Sequence, residues 1–272
     1  MLRIRPVFLA FAALALGAGG VAGGPAATAR AAGATLCRYQ VATVSGGRYI
    51  VQNDEWGSAA PECVTTDGAA DFWVASSAIS NLTDGAPGGY PSIFAGCHWG
   101  DCTEGGLTAH PQLLADLGPG MVTSTWSTAG PGGSGSSSSV YDVAYDIWIN
   151  HRPRTSGAPD GTEIMVWLSH RGQVRPAGKE VAAGAWIGGH SYDVWYNPGG
   201  GPADSVSYEM VDPRARVTDL DLGMLVNDAE QRGYTSPFWY LISVEAGFEI
   251  WRGGAGLVTT DFSVSLMARA RG

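Results

Sequence analysis

The chain has 272 residues, with 16 Lys and Arg against 25 Asp and Glu, a formal net charge of −9. Phosphate-rich partners need a basic surface, so this balance argues against nucleic acid and leaves a neutral polymer compatible. With 40 Gly, 10 Trp and 10 Tyr but only 15% charged residues, the composition favours strands joined by tight turns in one all-β domain.

Residues 1–32 read as an export signal. Arg3 and Arg5 precede an apolar run from 7 to about 16, then small residues with cleavage expected near 29–32. A membrane anchor is the competing reading, but glycines interrupt the run well short of the ~20 residues that a span needs. No later segment reads as transmembrane, so no membrane partner is expected. Export agrees with four cysteines, an even number. Cys97 and Cys102 flank the short loop HWGD, which predicts a local bridge and leaves Cys37 with Cys63. Zinc is the alternative, disfavoured because there is no CxxC pair and only 5 His.

In chain order, RYIVQNDEW at 48–56 starts as a strand and puts Asp54 and Trp56 on one face with Ile50 and Gln52. Trp56 reads either as a sugar platform or as core. A further strand is expected at 72–76, then an irregular loop, a short strand near 92–95 and the small disulfide loop. Asn81 opens a glycosylation sequon, Asn81-Leu82-Thr83. After a strand at 121–126, the run AGPGGSGSSSS at 129–139 reads as a surface loop rather than a linker, since removing either flank would cost strands.

Two long strands follow. In VYDVAYDIWIN, the residues Tyr141, Val143, Tyr145, Ile147 and Ile149 form an apolar face, leaving Asp142, Ala144, Asp146 and Trp148 opposite. In TEIMVWLSH, Ile164, Val166 and Leu168 turn to the core, and Glu163, Met165 and Trp167 share the open face. A hairpin is expected to turn at Gly188 and Gly189, and another strand at 205–211. One helix is expected in TDLDLGMLVNDAEQRG, with Leu222, Leu225, Val226 and Ala229 at helical spacing, a capping box from Thr218 to Asp221, and a stop at Gly233.

The stretch WYLISVEAGFEIWRGGAGL at 239–257 reads as a long strand. Tyr240, Ile242, Val244, Ala246, Phe248 and Ile250 face the core, and Glu245 and Glu249 face outward among Leu241 and Trp251. The last segment, with TTDFSVSL, is expected to complete a closing hairpin. Carboxylates on the open faces of three strands, set beside aromatic rings, suggest a sugar-cleaving cleft, because acetals are cleaved by carboxyl pairs and sugar rings stack on aromatic faces.

From about Cys37 to the C-terminus the chain resembles glycoside hydrolase family 12, the small secreted β-jelly-roll endoglucanases. Five ordered motifs carry the resemblance: GRYIVQNDEWGS, YPSIFAGCHWGDC, YDVAYDIWIN, TEIMVWL and SVEAGFEIWRGGAGL. It implies a catalytic domain over 33–272, built as a β-jelly roll of two stacked antiparallel sheets with a concave substrate cleft and one α-helix on the outer side. It also implies a retaining endo-β-1,4-glucanase with Glu163 as nucleophile, Glu249 as general acid/base and Asp146 assisting the nucleophile. Trp56, Met165 and Trp167 match residues of the family's cleft. Where relatives are expected to carry Gln, Pro and Asn, this chain has Glu245, Ile250 and Asp54, and the two acids add negative charge to the expected substrate-binding surface.

A retaining pair must sit about 5 to 5.5 Å apart, whereas Glu245 and Glu249 on one continuous strand would be roughly 13 Å apart, so Glu245 is not the partner of Glu249. The expected substrate is cellulose-like or mixed-linkage β-glucan, cleaved by a secreted monomer without cofactor or metal. A xyloglucan-directed enzyme of the same family is the alternative. From a different class, the rival is a jelly roll that stacks glucan on Trp56 and Trp167 without cleaving it.

Overall fold

The computed structural model describes residues 33–107, 109–130, 138–199 and 203–267. The expected export signal and most of the Gly/Ser run lie outside them. Eighteen strands and one helix follow in order: β1 (Ala34–Cys37), β2 (Val41–Val44), β3 (Tyr49–Gln52), β4 (Glu62–Thr66), β5 (Phe72–Ser77), β6 (Ser92–His98), β7 (Asp101–Cys102), β8 (Gln112–Leu113), β9 (Val122–Ala129), β10 (Val140–Asn150), β11 (Thr162–Arg171), β12 (Lys179–Ile187), β13 (His190–Asn197), β14 (Asp204–Met210), β15 (Arg216–Asp221), α1 (Leu222–Gln231), β16 (Tyr240–Gly247), β17 (Ile250–Arg252) and β18 (Val258–Leu266).

They form two sheets, a 6-stranded one in the order β1-β4-β5-β18-β9-β15 and a 12-stranded one whose main path runs β12-β13-β14-β11-β10-β16-β6-β3-β2. Pairing is antiparallel except between β11 and β14, which run parallel. The apolar faces expected of β10 and β11 enter one core with Val64, Phe72, Trp126 and Phe262 of the smaller sheet, so the long sheet buries one face there and leaves the other to solvent. Both disulfides are formed, Cys37–Cys63 and Cys97–Cys102.

The hairpin of β12 and β13 turns at Gly188 (φ 57°) and Gly189 (φ 85°), two successive left-handed positions that a tight primed turn requires. The helix begins later than the capping box implied. Thr218 lies in β15, and Asp221 is the N-cap, its side chain accepting from Met224 N at 3.1 Å. Helix α1 touches β9 and β12, one strand from each sheet, and its buried Leu222, Leu225, Val226 and Ala229 join the main core.

Three strand readings need correction. β3 stops at Gln52, so Asp54, at φ 44°, and Trp56 belong to a loop and not to a strand face. The expected long strand at 239–257 is broken: β16 ends at Gly247, and Phe248 and Glu249 form a step before β17. Within β16 a register shift opposite Trp148 and Ile149 puts Leu241 in the main core, with Ile242 outside that cluster, the reverse of the simple alternation. β18 does not close a hairpin with β17. It crosses to the smaller sheet and pairs with β5 and β9.

Candidate active site

The open face of the long sheet bears a cleft of about 1230 Å³, lined among others by Trp56, Trp99, Asp146, Trp148, Glu163 and Glu249. Register places its floor. On β10 and β11, Trp148 lies opposite Glu163 and Asp146 opposite Met165, which makes Asp146 and Glu163 diagonal neighbours on one face, within reach of long side chains. Glu163 is half-buried at the cleft surface. Asp146 is 5% exposed, and its Oδ1 has no hydrogen-bond partner among the described residues. Beside them Ala144, Met165, Trp167, Val174 and Trp251 pack into a small second apolar cluster on the cleft side of the sheet.

Glu249 reaches the same cleft from the step between β16 and β17. The backbone there is pinned twice to Asp142 of β10: Glu249 N donates to Asp142 Oδ1 at 3.0 Å, and Asp142 N donates to Glu249 O at 3.0 Å. Phe248 N and Ile250 N turn away from β10, donating to Pro91 O and Gly89 O. The step thus comes from a competing strand-like partner, residues 89–91, which takes the donors that would have continued the ladder. Asp142 is fully buried.

The carboxyls are strongly perturbed. Burial, then the charges of Glu249 and Glu245, push Glu163 up to about 8, while His98 opposes the rise. Burial, then the charge of Asp142 and a side-chain hydrogen bond with it, hold Glu249 well above the ordinary range. Asp142 is pushed up to about 8 by burial, against its bonds to Glu249, with Asp146 and Glu163 adding to the rise. Asp146 is raised well above its usual value by burial and then by Glu163, Glu249, Glu245 and Asp54. So many carboxyls on one floor cannot all ionise together.

The cleft walls are loops. Trp56 is 48% exposed and stands on a loop braced by Glu62 N donating to Glu55 Oε2 at 3.0 Å. Gly57 lies so close to the 83–91 loop that a Cβ would come within 2.0 Å of Pro87 O. Asn81, the sequon residue, donates to Gly57 O and Ala86 O at 3.2 Å each, and Trp251 Nε1 donates to Gly85 O at 2.7 Å, so both tie that wall together. The Cys97–Cys102 loop presents Trp99, whose ring meets Trp148 edge-on at 5.3 Å.

Two expected substrate contacts are buried and offer no surface to a substrate. Glu245 faces Asp146 across β10 and β16 but is 0% exposed, beneath the floor. It accepts from Ser243 Oγ at 2.9 Å and Gln52 Nε2 at 3.2 Å and bonds His98 Nδ1 at 3.0 Å. Trp167 lines the cleft but is only 1% exposed, covered by its neighbours in the apolar cluster, so its face offers no open stacking platform. Asp54 does line the cleft, 3.9 Å from His98 Nε2, and burial raises its carboxyl to about 6. Trp73 and Trp186 are exposed and Trp126 is buried in the core, and none of the three lines the cleft.

Sequence reasoning assigned no role to His98, Trp99, Trp148 or Asp142, all of which meet the site. For Asp142 a signal existed: a carboxylate in mid-strand next to an aromatic row requires a buried partner. Nothing local marked His98, because its partners are 147 and 44 positions away in sequence. Among the described residues no group of three or more His, Cys, Asp or Glu is arranged to hold a metal ion.

A long open groove, floored by mutually coupled carboxyls and walled by tryptophan faces, defines a polysaccharide-cleaving site. The model of glycosyl hydrolase family 12 matches residues 47–267. The "Probable cellulase Cel12b" of Mycobacterium tuberculosis is 32% identical over 127 residues, 47% of this chain and 82% of that protein. The solved endo-1,4-β-glucanase CelB2, described as a cellulase, is 37% identical with a TM-score of 0.77, covering 86% of this chain and 99% of that one. A family 12 xyloglucanase from Bacillus licheniformis is 25% identical with a TM-score of 0.72, covering 87% of this chain and 100% of that one. The chain belongs to glycosyl hydrolase family 12. It is an endoglucanase-type glycoside hydrolase, which sets aside the reading as a non-catalytic binding module.

Proposed function

We propose that the protein cleaves internal β-1,4-glucosidic bonds of cellulose-like and mixed-linkage glucans with retention, Glu163 acting as nucleophile and Glu249 as general acid/base. The observation that carries this reading is the unequal surroundings of two glutamates in one cleft. Burial raises both, but at Glu163 His98 works against the rise, whereas at Glu249 Asp142 adds to it. Both carboxyls are held above their ordinary range, and the two neighbours bias the charge toward Glu163 and the proton toward Glu249, the distribution that a double displacement needs at its start.

In the first step a Glu163 oxygen attacks the anomeric carbon as Glu249 gives its proton to the departing glycosidic oxygen. The ester so formed neutralises Glu163 and removes one of the charges that held the Glu249 proton. Glu249, now a carboxylate, takes a proton from water, whose oxygen attacks the anomeric carbon and releases Glu163. Asp146, diagonal to Glu163 with an oxygen lacking a partner, orients the nucleophile. Trp56 offers an exposed ring for stacking, and Trp148 Nε1, a buried donor without a partner among the described residues, suits a sugar hydroxyl.

A second reading, action on xyloglucan, is favoured by one observation. That observation is the likeness to a family 12 xyloglucanase, 25% identical with a TM-score of 0.72. Two formed disulfides support secretion into an oxidising space.

A reducing-sugar assay on carboxymethylcellulose, barley glucan and xyloglucan tests the substrate. Highest kcat/KM on barley glucan is expected, and preference for xyloglucan selects the second reading. Proton NMR of the first-formed product tests the stereochemistry: β-anomer is expected, and initial α-anomer overturns the double displacement.

A further inference from the structure

Under the floor of the cleft the chain carries one charge more than the proposed chemistry uses. Glu245 is 0% exposed and faces Asp146 across the β10–β16 ladder, on the side that bears Glu163. A carboxylate placed there repels the charge of a nucleophile on β11, two strands away across β10, and holds its proton on. Glu245 is indeed among the groups raising both Glu163 and Asp146.

His98 answers this charge. Its Nδ1 is 3.0 Å from Glu245 Oε1, below the floor, and its Nε2 is 3.9 Å from Asp54 Oδ2, in the cleft. The ring is only 13% exposed at its side chain, and Phe94 and Trp99 pack on it at 5.9 and 4.2 Å. The loop that carries it is closed by Cys97–Cys102, so ring and backbone are both held. The charged groups facing it are Glu245 from β16, Asp54 from the loop after β3 and Asp101 from β7. Burial opposes an imidazolium here, but these three, Glu245 foremost, outweigh it and raise His98 above its usual range.

We propose that His98 is a positioning residue for the nucleophile: clamped between buried Glu245 and cleft Asp54, its imidazolium offsets the carboxylate beneath Asp146 and lets Glu163 ionise. The proposal rests on the reading of Glu163 as nucleophile. Through Asp54 the same imidazolium ties the disulfide loop to the loop of Trp56, so the two walls and the floor share one cation.

The test is the pH profile of kcat/KM on soluble β-glucan for the full-length wild type, His98→Gln, and the double variant His98→Gln/Glu245→Gln. With His98→Gln the acidic limb moves to higher pH by about one unit, and kcat/KM on that limb falls about tenfold. The double variant, which loses the offending carboxylate as well, returns the limb toward its wild-type position. A loss that is uniform across pH, an unmoved limb, or losses that simply add in the double variant overturn the proposal. Should His98→Gln not fold, NMR titration of the His98 ring in the wild type decides: titration above the ordinary 6.5 supports the proposal, and titration at or below it overturns it. Trapping with a 2-deoxy-2-fluoro-cellobioside and peptide mapping separates the two assignments. A label on another carboxylate overturns the nucleophile, while a label on Glu163 with an unmoved limb overturns only the role of His98.

Discussion

On one face of β10, Tyr141, Val143, Tyr145, Ile147 and Ile149 pack into the core between the sheets; on the other, Asp146 and Trp148 line the cleft and Asp142 and Ala144 lie buried beside it. Burial hardly distinguishes them, since Ile147 is 0% and Asp142 0% exposed. Chemistry does. The core face gains from every methylene removed from water, roughly 0.8 kcal/mol for each. On the cleft face the same dryness penalises charge, so proton affinities rise and neighbouring carboxyls must share protons. One strand therefore serves as a stabilising wall and a destabilised, reactive floor, and the floor's cost is carried by the wall.

Substitutions on the two sides separate these roles. Glu163→Gln removes the nucleophile, and turnover of soluble β-glucan by reducing-sugar assay should fall by more than about 10⁴-fold. Near-normal turnover would break the distinction between floor and wall. Glu249→Gln should lose on the order of 10²–10⁴-fold on glucan, yet much less on aryl glycosides whose leaving group needs no proton. Ile147→Ala, on the wall, should cost about 2–5 kcal/mol in chemical denaturation. At low temperature its pH–rate profile should coincide with that of the wild type.

Asp142→Asn removes the charge and the partner that raise Glu249, so Glu249 gives up its proton more readily. The basic limb of kcat/KM should move to lower pH by about one unit, with a modest loss of rate. The smallest effect is on stability. Glu163 in the folded protein is raised from 4.5 to about 8, so the folded state binds more protons than the unfolded one across that window. Its penalty is absent below 4.5 and grows as pH rises towards 8. Glu163→Gln should therefore raise Tm at pH 8 by ~3 °C and leave it unchanged at pH 4, as scanning calorimetry would show.

The long strands were readable because alternation is a local property. The patterns of 140–150 and 162–170 predicted both faces of β10 and β11, and the Gly188–Gly189 pair predicted its hairpin. Where neighbours in space compete with the local pattern, the reading failed. Residues 89–91 capture Phe248 N and Ile250 N and break the strand before Glu249, and a bulge in β16 exchanges Leu241 for Ile242. Trp56 left its predicted strand because Asp54 adopts a left-handed backbone that no periodicity announces. Trp167 was placed on the right face, but its near-complete cover comes from Trp251 and Val174, one of them 84 positions away.

By itself, then, the sequence determined which residues alternate, which carboxyls leave the core, which cysteines pair and which family the motifs resemble, since each depends on order or spacing along the chain. Only the tertiary structure decided that Glu245 is a buried counter-charge for His98 rather than a cleft contact, and that Asp142 pins Glu249. Both depend on distances between strands that are far apart in sequence. They depend also on burial, which turns an ordinary carboxylate into one whose proton is held.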